Sequence, residues 1–107
     1  MRDQSLFILA SLAKSDRHGY GIARDVEELT GGRIRLTAGT IYGALTRLSD
    51  DGLVALAGEQ QVQGRLRRYY RLTPAGHSVL HAEVERLSST ATALRSRLSS
   101  GSAPGFA

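Results

Sequence analysis

The residues with the clearest chemical potential are four arginines within seven positions: Arg65, Arg67, Arg68 and Arg71. No aspartate or glutamate lies between Glu59 and Glu83 along the chain. Guanidinium groups bind phosphate oxygens and guanine edges through paired hydrogen bonds. The cluster therefore predicts contact with a nucleic-acid backbone. The alternative is a surface hairpin that keeps charged side chains to protect its edge, which would explain scattered lysine and glutamate better than unopposed arginines.

Two short apolar runs flank this cluster and predict a β-hairpin. The strands are expected at residues 53–59 and 66–72, with residues 60–65 as the tip between them. Alternation along the second strand places Tyr70 and Leu72 on the side that packs inward. Arg65 and Arg67 are nearest the tip, where they can reach a phosphate or a narrow minor groove.

A helix is predicted at Ala38–Asp50, immediately before the hairpin, with Thr37 as its N-cap. One face is apolar and consists of Ile41, Ala44, Leu45 and Leu48. The opposite face is small and polar and consists of Gly39, Thr40, Tyr42, Gly43 and Thr46, with Arg47 on its flank. The hydroxyl groups on that face can contact phosphates or base edges. A solvated polar face on an ordinary amphipathic helix is the alternative.

Gly43 lies inside this predicted helix, where glycine costs about 1 kcal/mol relative to alanine. Such a cost is understandable if the backbone must approach another surface closely. The major groove of DNA is one such surface, because it admits an α-helix.

Two further helices are expected in the first third of the chain, at residues 5–13 and 20–29. Apolar side chains surround nearly all of the first helix, so we expect it to be buried on several sides. Ile22, Val26 and Leu29 form the apolar stripe of the second helix, and His18 is expected to anchor the turn before it. With the helix that follows, these segments fit helix-turn-helix geometry.

The last helix is predicted to start after Thr73, a favourable N-cap followed by proline. Its apolar residues step by four, three, four, three and four: Leu80, Val84, Leu87, Ala91, Leu94 and Leu98. So small a domain cannot cover a stripe of this length by itself. We therefore expect it to pair with a second subunit in a homodimer, together with Leu6 and Phe7 of the first helix. A long helix packed wholly within one chain is the alternative.

Composition narrows the class of protein. The chain has 107 residues, with 14 basic residues against 10 acidic ones and a net charge of +4. Such a charge balance favours a polyanionic partner. The absence of cysteine excludes disulfides and thiolate metal sites. No run approaches the roughly 18 apolar residues of a membrane span, so we expect a cytoplasmic protein without a membrane partner.

Metal binding and catalysis have little support in the sequence. His77 and His81 are four residues apart and could share a helix face, but a third ligand would have to come from a carboxylate or a partner chain. No phosphate-binding glycine loop, nucleophile–base signature or convincing acid pair is present. We expect no cofactor, no metal site and no enzymatic activity.

Several short motifs occur in order and at natural spacing between residues 6 and 87: His18-Gly19-Tyr20-Gly21-Ile22, residues 40–45, Asp51-Gly52-Leu53-Val54, residues 64–73 and Ala75-Gly76. In this combination they resemble the signature of PadR-type transcriptional regulators, and the chain length resembles the short branch of that family. The resemblance implies a dimeric repressor whose third helix enters the major groove while the wing contacts the backbone or minor groove. Tyr42 matches a tyrosine that commonly meets a phosphate, and Tyr20 matches the aromatic residue of the second-helix motif near the DNA.

The expected fold is mainly α (α+β), a winged helix-turn-helix with a long C-terminal dimerisation helix. Residues 1–73 would form the DNA-binding domain, residues 74–98 the dimerisation helix, and residues 99–107 a disordered tail. The expected DNA-binding residues are Tyr20, Thr37, Gly39, Thr40, Tyr42, Gly43, Thr46, Arg47, Arg65, Arg67 and Arg68.

The expected function is regulation of transcription through sequence-specific binding to double-stranded DNA, as a dimeric repressor relieved by a small-molecule effector. A two-fold dimer predicts an inverted-repeat operator with half-sites roughly 34 Å apart. Phe7 and the apolar face of the last helix would line the effector pocket. Two alternatives remain: a winged-helix protein-interaction module without specific DNA binding, and a metal-responsive winged-helix repressor.

Overall fold

The computed structural model describes residues 1–100. Its elements are, in chain order, α1 (Asp3–Lys14), β1 (Arg17–His18), α2 (Gly19–Leu29), α3 (Ala38–Asp50), β2 (Val54–Val62), β3 (Arg65–Leu72) and α4 (Pro74–Ser100). The strands form one antiparallel sheet in the order β1-β3-β2. This architecture confirms the predicted winged helix-turn-helix fold with a long C-terminal helix.

The core lies where α1, α2 and α3 meet the base of the sheet. The buried apolar residues are Ile8, Leu9, Leu12, Ile22, Val26, Ile41, Ala44, Leu45, Leu48 and Val54. The predicted apolar stripe of α3 is therefore entirely buried. The stripe of α2 was predicted one residue too long, because Leu29 at the end of that helix is 55% exposed.

The strand β1 was missed in the sequence. It is two residues long and pairs Arg17 with Tyr70 and His18 with Tyr69. The Arg17 Nε donates a hydrogen bond of 3.2 Å to the backbone carbonyl of Ser11. The Arg17 guanidinium also lies 3.7 Å from the carboxylate of Asp25. This short strand thus fastens the hairpin to both α1 and α2.

The hairpin turn is tighter than predicted. Strand β2 continues to Val62, and the turn consists of Gln63 and Gly64, which have φ values of 51° and 76°. Two central residues with positive φ define the turn that suits the twist of a two-stranded ribbon. The longer predicted tip at residues 60–65 was wrong, because solvent on both sides of the hairpin tolerates polar strand residues that otherwise suggest a loop.

Threonines cap two helices as predicted. The Thr37 hydroxyl accepts a hydrogen bond of 3.3 Å from the Thr40 amide at the start of α3. The Thr73 hydroxyl accepts one of 3.0 Å from the Gly76 amide and donates one of 2.6 Å to the carbonyl of Gly52. Thr73 therefore joins the start of α4 to the loop that follows α3.

The ends of α1 and α4 differ from the prediction. Helix α1 begins at Asp3 rather than Ser5, and its N-cap, Arg2, makes no side-chain cap. Helix α4 extends to Ser100, so the first two residues of the predicted tail are helical. The rest of that tail, residues 101–107, lies outside the described residues.

Gly76 allows α4 to start directly against the hairpin. A side-chain carbon at this position would overlap the carbonyl oxygen of Leu53 and lie 2.7 Å from Leu72 Cδ1. Any larger residue would push α4 away from the base of β2 and β3. Glycine here thus fixes where the long helix leaves the domain.

Candidate nucleic-acid interface

The polar face of α3 is on the surface because the opposite face is buried in the core. Gly39, Tyr42, Thr46 and Arg47 are exposed, and Tyr42 retains 49% of its accessible surface. The structure therefore confirms that the predicted polar face of α3 is accessible, and its contact with a partner stays a prediction.

The hydroxyl groups on this face are not equally free. The Thr46 hydroxyl donates a hydrogen bond of 2.9 Å to the Tyr42 carbonyl, and the Thr37 hydroxyl donates one of 3.0 Å to the Thr40 oxygen. Within residues 1–100, the hydroxyl hydrogens of Thr40 and Tyr42 have no acceptor. Those two residues are the better donors to a phosphate or base, whereas Thr46 is better placed to accept.

Neither glycine on this face is needed for packing inside the protomer. A side-chain carbon at Gly39 would meet nothing within 4 Å, and one at Gly43 would meet the Arg47 guanidinium at 3.6 Å, an ordinary contact. Both positions have negative φ, so backbone conformation does not require glycine either. The effect of these two glycines is to leave the surface of α3 flat, so that the backbone of a partner can approach it closely.

The wing arginines divide into two groups. Strand register places Glu59 opposite Arg68, and the two side chains form an ion pair of 3.5 Å. The premise that no acid opposes the cluster was therefore wrong for Arg68, because cross-strand pairing is invisible in linear spacing. Arg65 and Arg67 are exposed and form no ion pair within residues 1–100.

A polar cleft of about 340 Å³ lies between the wing and the helix-turn-helix. It is lined by His18, Tyr20, Tyr42, Arg65, Leu66, Arg67 and Arg68. The elements α2, α3 and β3 thus bring five of the eleven predicted DNA-binding residues together around one basic concavity. A phosphate diester is the size and charge of group that such a cleft suits.

A second cleft, of about 360 Å³, lies between α2 and the start of α3. Tyr20 and Tyr42 line both clefts and separate them. Arg24 lies over the Tyr20 ring at 5.9 Å from its centroid, and Arg35 forms an ion pair of 3.0 Å with Glu27. Arg24 and Arg35 were not among the predicted site residues, because neither belongs to a motif and only the packing of α2 on α3 brings them to this surface.

His18 is the structural centre of the polar cleft. Its Nδ1 accepts a hydrogen bond of 3.2 Å from the Gly21 amide and so caps α2, which confirms that it anchors this turn. Its ring lies edge-on to Tyr69, with centroids 5.4 Å apart, and parallel to Tyr20 at 6.3 Å. Partial burial, and then the nearby charge of Arg67, lower the pKa of His18 below 6.5. Nδ1 can accept the hydrogen bond that caps α2 only while it carries no proton, so the cap requires the neutral form of His18.

The predicted dimer residues form a partly exposed apolar surface. Val84, Leu87, Leu94 and Leu98 on α4 are 50%, 44%, 61% and 79% exposed. Leu80, at the start of the stripe, packs on the protomer's own core, and Ala91, Leu6 and Phe7 are partly buried. The Arg33 guanidinium lies 5.8 Å from the centroid of the Phe7 ring. Within residues 1–100, therefore, the protomer leaves Val84, Leu87, Leu94 and Leu98 largely uncovered, contrary to the alternative of a helix packed wholly within one chain.

Two other expectations concern metal binding and membrane-spanning helices. Within residues 1–100, no three histidine, aspartate or glutamate side chains come together in a geometry that could hold a metal ion, so His77 and His81 lack a third ligand from their own protomer. In the same part of the chain, every helix is too short or too polar to cross a membrane.

The fold and this surface define a winged helix-turn-helix protein with an arginine-bearing wing. Residues 8–82 match the transcriptional regulator PadR-like family. The chain belongs to this family of transcriptional regulators.

Two curated relatives support this assignment. The transcriptional regulator Rv3488 of Mycobacterium tuberculosis is 43% identical over 76 residues, which cover 70% of this chain and 66% of that protein. An uncharacterised 37.1 kDa protein in a Streptomyces fradiae transposon is 38% identical over 85 residues, which cover 79% of this chain and 23% of that protein. The chain thus matches just under two thirds of the first relative and about a quarter of the second.

Solved structures agree with the fold. A PadR family transcription regulator from Clostridium difficile is 29% identical, with a TM-score of 0.75, over 89% of this chain and 97% of that one. Bacillus subtilis PadR, solved in complex with operator DNA, is 28% identical, with a TM-score of 0.69, over 78% of this chain and 48% of that one.

Acidification should destabilise the protein through His18. Because its folded pKa is below 6.5, the unfolded chain takes up the proton first. The stability that neutral His18 provides is complete above about pH 6.5 and is lost as pH falls through that value towards the folded pKa. We expect denaturant unfolding to show a larger loss of unfolding free energy between about pH 7.5 and pH 5.5 in the wild type than in His18→Asn.

Asparagine at position 18 can still cap α2 but does not titrate in this range. His77 and His81 remain in both proteins, so the difference between the two pH profiles isolates His18. Equal profiles would contradict the role assigned to Nδ1.

Proposed function

We propose that this protein binds double-stranded DNA sequence-specifically as a homodimer and represses transcription at an inverted-repeat operator. The observation that carries the proposal is the single basic cleft shared by α3, the start of α2 and the wing. The residues proposed to contact DNA are those named from the sequence: Tyr20, Thr37, Gly39, Thr40, Tyr42, Gly43, Thr46, Arg47, Arg65, Arg67 and Arg68. To these the packing of α2 on α3 adds Arg24 and Arg35.

The division of labour follows from the chemistry of each group. Arg65 and Arg67 have no ion pair within residues 1–100, so they are available for phosphates, while Arg68 would first have to leave Glu59. Gly39, which is exposed, and Gly43, which is partly exposed, let the backbone of α3 enter a groove closely. Thr40 and Tyr42 supply hydroxyl donors at the edge of that helix. The complex of Bacillus subtilis PadR with operator DNA supports a DNA target for the shared fold.

Dimerisation is supported by the uncovered stripe on α4. This helix is 27 residues long, and the molecule measures 67 Å along its longest axis but 27 Å and 20 Å across the others. Burying an apolar leucine is worth about 1.5–3 kcal/mol, so several half-exposed leucines in heptad register favour association with a second copy. Closed two-fold symmetry would then present two copies of α3 to two half-sites.

A small-molecule effector is the finer part of the proposal. Phe7 and the apolar face of α4 would line its pocket at the interface between subunits. Helix α4 contains no phenylalanine, tyrosine or tryptophan, so a flat ligand could not stack between its two copies. An effector that favours one angle between the subunits would change the spacing of the recognition helices and thus DNA affinity.

Two other functions compete with this proposal. A winged-helix module for protein interaction would not need the free wing arginines, and its binding would depend little on salt. A metal-responsive repressor would need ligands from a second subunit to complete a site at His77 and His81. The proposal includes a cytoplasmic location and no enzymatic activity.

The wing makes the first testable difference. Arg67→Ala should weaken binding to all duplexes about equally and reduce the slope of log K against log salt by about one, because one phosphate contact is lost. Arg71→Ala is the matched control, since Arg71 is an exposed arginine on the same strand but lies at the opposite end, beside Pro74 and His77. Fluorescence anisotropy with a labelled duplex at several salt concentrations measures both quantities. Equal slopes in the two variants would place the wing away from the phosphates.

The second prediction concerns the subunit interface. Leu94→Glu should convert the dimer to a monomer, because it places a charge in the centre of the exposed stripe. Operator affinity should then fall by more than about tenfold, since the two half-sites are no longer bound together. Thr92→Glu adds the same charge on the other side of α4 and should leave the mass unchanged. Light scattering after gel filtration decides the matter, and a monomeric wild type would refute the proposed assembly.

The third prediction concerns the small-molecule effector. A compound that acts through the interface must weaken operator binding and be weakened by operator DNA by the same factor, because coupling between binding sites is reciprocal. Titration calorimetry of the compound with and without saturating operator measures that factor. A compound that weakens operator binding while its own affinity is unaffected by operator would contradict this mechanism.

A further inference from the structure

The first residue of α2 is pressed against the recognition helix. Gly19 is buried, and a side-chain carbon built there would lie 3.0 Å from both Cζ and Oη of Tyr42 and 3.1 Å from Cγ2 of Ile41. Side-chain carbons rarely approach other atoms so closely. The Tyr42 ring thus occupies the space that any other residue at position 19 would need.

Backbone conformation does not explain the glycine. The glycines with positive φ in residues 1–100 are Gly31, Gly32, Gly52 and Gly64, so the backbone of Gly19 is open to any amino acid. Glycine is needed at position 19 because a side chain would collide with the ring of Tyr42 on α3.

Of the two neighbours, Tyr42 is the one that would move. Ile41 is 1% exposed and belongs to the buried core cluster, whereas Tyr42 is 49% exposed and can swing towards solvent. An added methyl group at position 19 would therefore displace the phenol ring rather than the isoleucine. The phenol ring would then leave its place in the walls of the two clefts, both of which Tyr20 also lines.

We propose that Gly19 is a positioning residue for DNA binding: it seats the Tyr42 ring on the first turn of α2 and so fixes the phenol hydroxyl between the clefts. This role rests on the proposed function, because it matters only if Tyr42 meets the duplex. It links the loop before α2 to the recognition surface without any contact between Gly19 and DNA.

Gly21 provides a matched control two residues further along the same helix. It also has negative φ, but a side-chain carbon there would lie 3.6 Å from His18 Cε1, at an ordinary contact distance. Alanine raises helix propensity equally at both positions, so a difference between the variants isolates the seat of Tyr42.

The experiment combines aromatic NMR spectra of the free proteins with duplex binding. Gly19→Ala should shift the Tyr42 ring resonances and weaken duplex binding about three- to tenfold. Gly21→Ala should leave the Tyr42 resonances in place and change the affinity by no more than about twofold. In a Tyr42→Ala background the phenol ring is gone and only Ile41 Cγ2 remains close to position 19, so Gly19→Ala should cause no further loss of affinity. If Gly19→Ala fails to fold, the double variant should fold, because removing the ring restores the room.

Three results would overturn the proposal. Unshifted Tyr42 resonances in Gly19→Ala would show that the ring does not depend on this seat. An equal loss of affinity in the Tyr42→Ala background, or failure of the double variant to fold, would show that the methyl acts on Ile41 instead. A wild type that binds no duplex would remove the proposed function itself, which the resonances of the free protein distinguish from failure of the seat.

Discussion

Burial of one face of α3 is the constraint from which the remaining structure follows. Ile41, Ala44, Leu45 and Leu48 are each at most 4% exposed, and they pack against α1 and α2. Burial of each large apolar side chain contributes about 1.5–3 kcal/mol, whereas an exposed ion pair such as Arg68–Glu59 contributes about 0–1 kcal/mol. The core therefore orients α3, and the polar face points outward as a result. Charges on the wing adjust to that arrangement and do not create it.

The position of the wing depends on polar contacts instead. A hairpin of two strands is marginally stable by itself. Here a third, two-residue strand adds backbone pairing, and Arg17 links it to the backbone of α1 and to Asp25 on α2. His18 adds the cap of α2 and an edge contact with Tyr69. The basic cleft is thus held between elements of different kinds, with apolar packing below it and hydrogen bonds at its side.

Local signals in the sequence were sufficient for much of this arrangement. The stripe of α3 and the caps Thr37 and Thr73 depend on spacings of three or four residues, which a linear chain displays directly. The strand β1 could not be recognised, because two residues carry no periodicity and their pairing partner is about fifty positions away. The pairing of Glu59 with Arg68 required the strand register, and the register depended on a two-residue turn inside the predicted six-residue tip. The cleft that Arg24 and Arg35 line required the packing of α2 on α3, so these two residues carried no signal in the sequence.

The tight junction at Thr73 and Gly76 has a mechanical consequence. The Thr73 hydroxyl donates a hydrogen bond to the carbonyl of Gly52, just after α3, and Gly76 brings α4 against Leu53. The long helix and the winged helix-turn-helix domain are therefore joined by a short, closely packed connection. A helix of 27 residues is roughly 40 Å long, and pivoting it by roughly 5° at this junction moves its far end by roughly 3–4 Å. In the proposed dimer, small shifts where two copies of α4 cross would rotate each DNA-binding domain. The junction would then make α4 a rigid lever arm, through which changes at the subunit interface alter the separation of the two α3 helices.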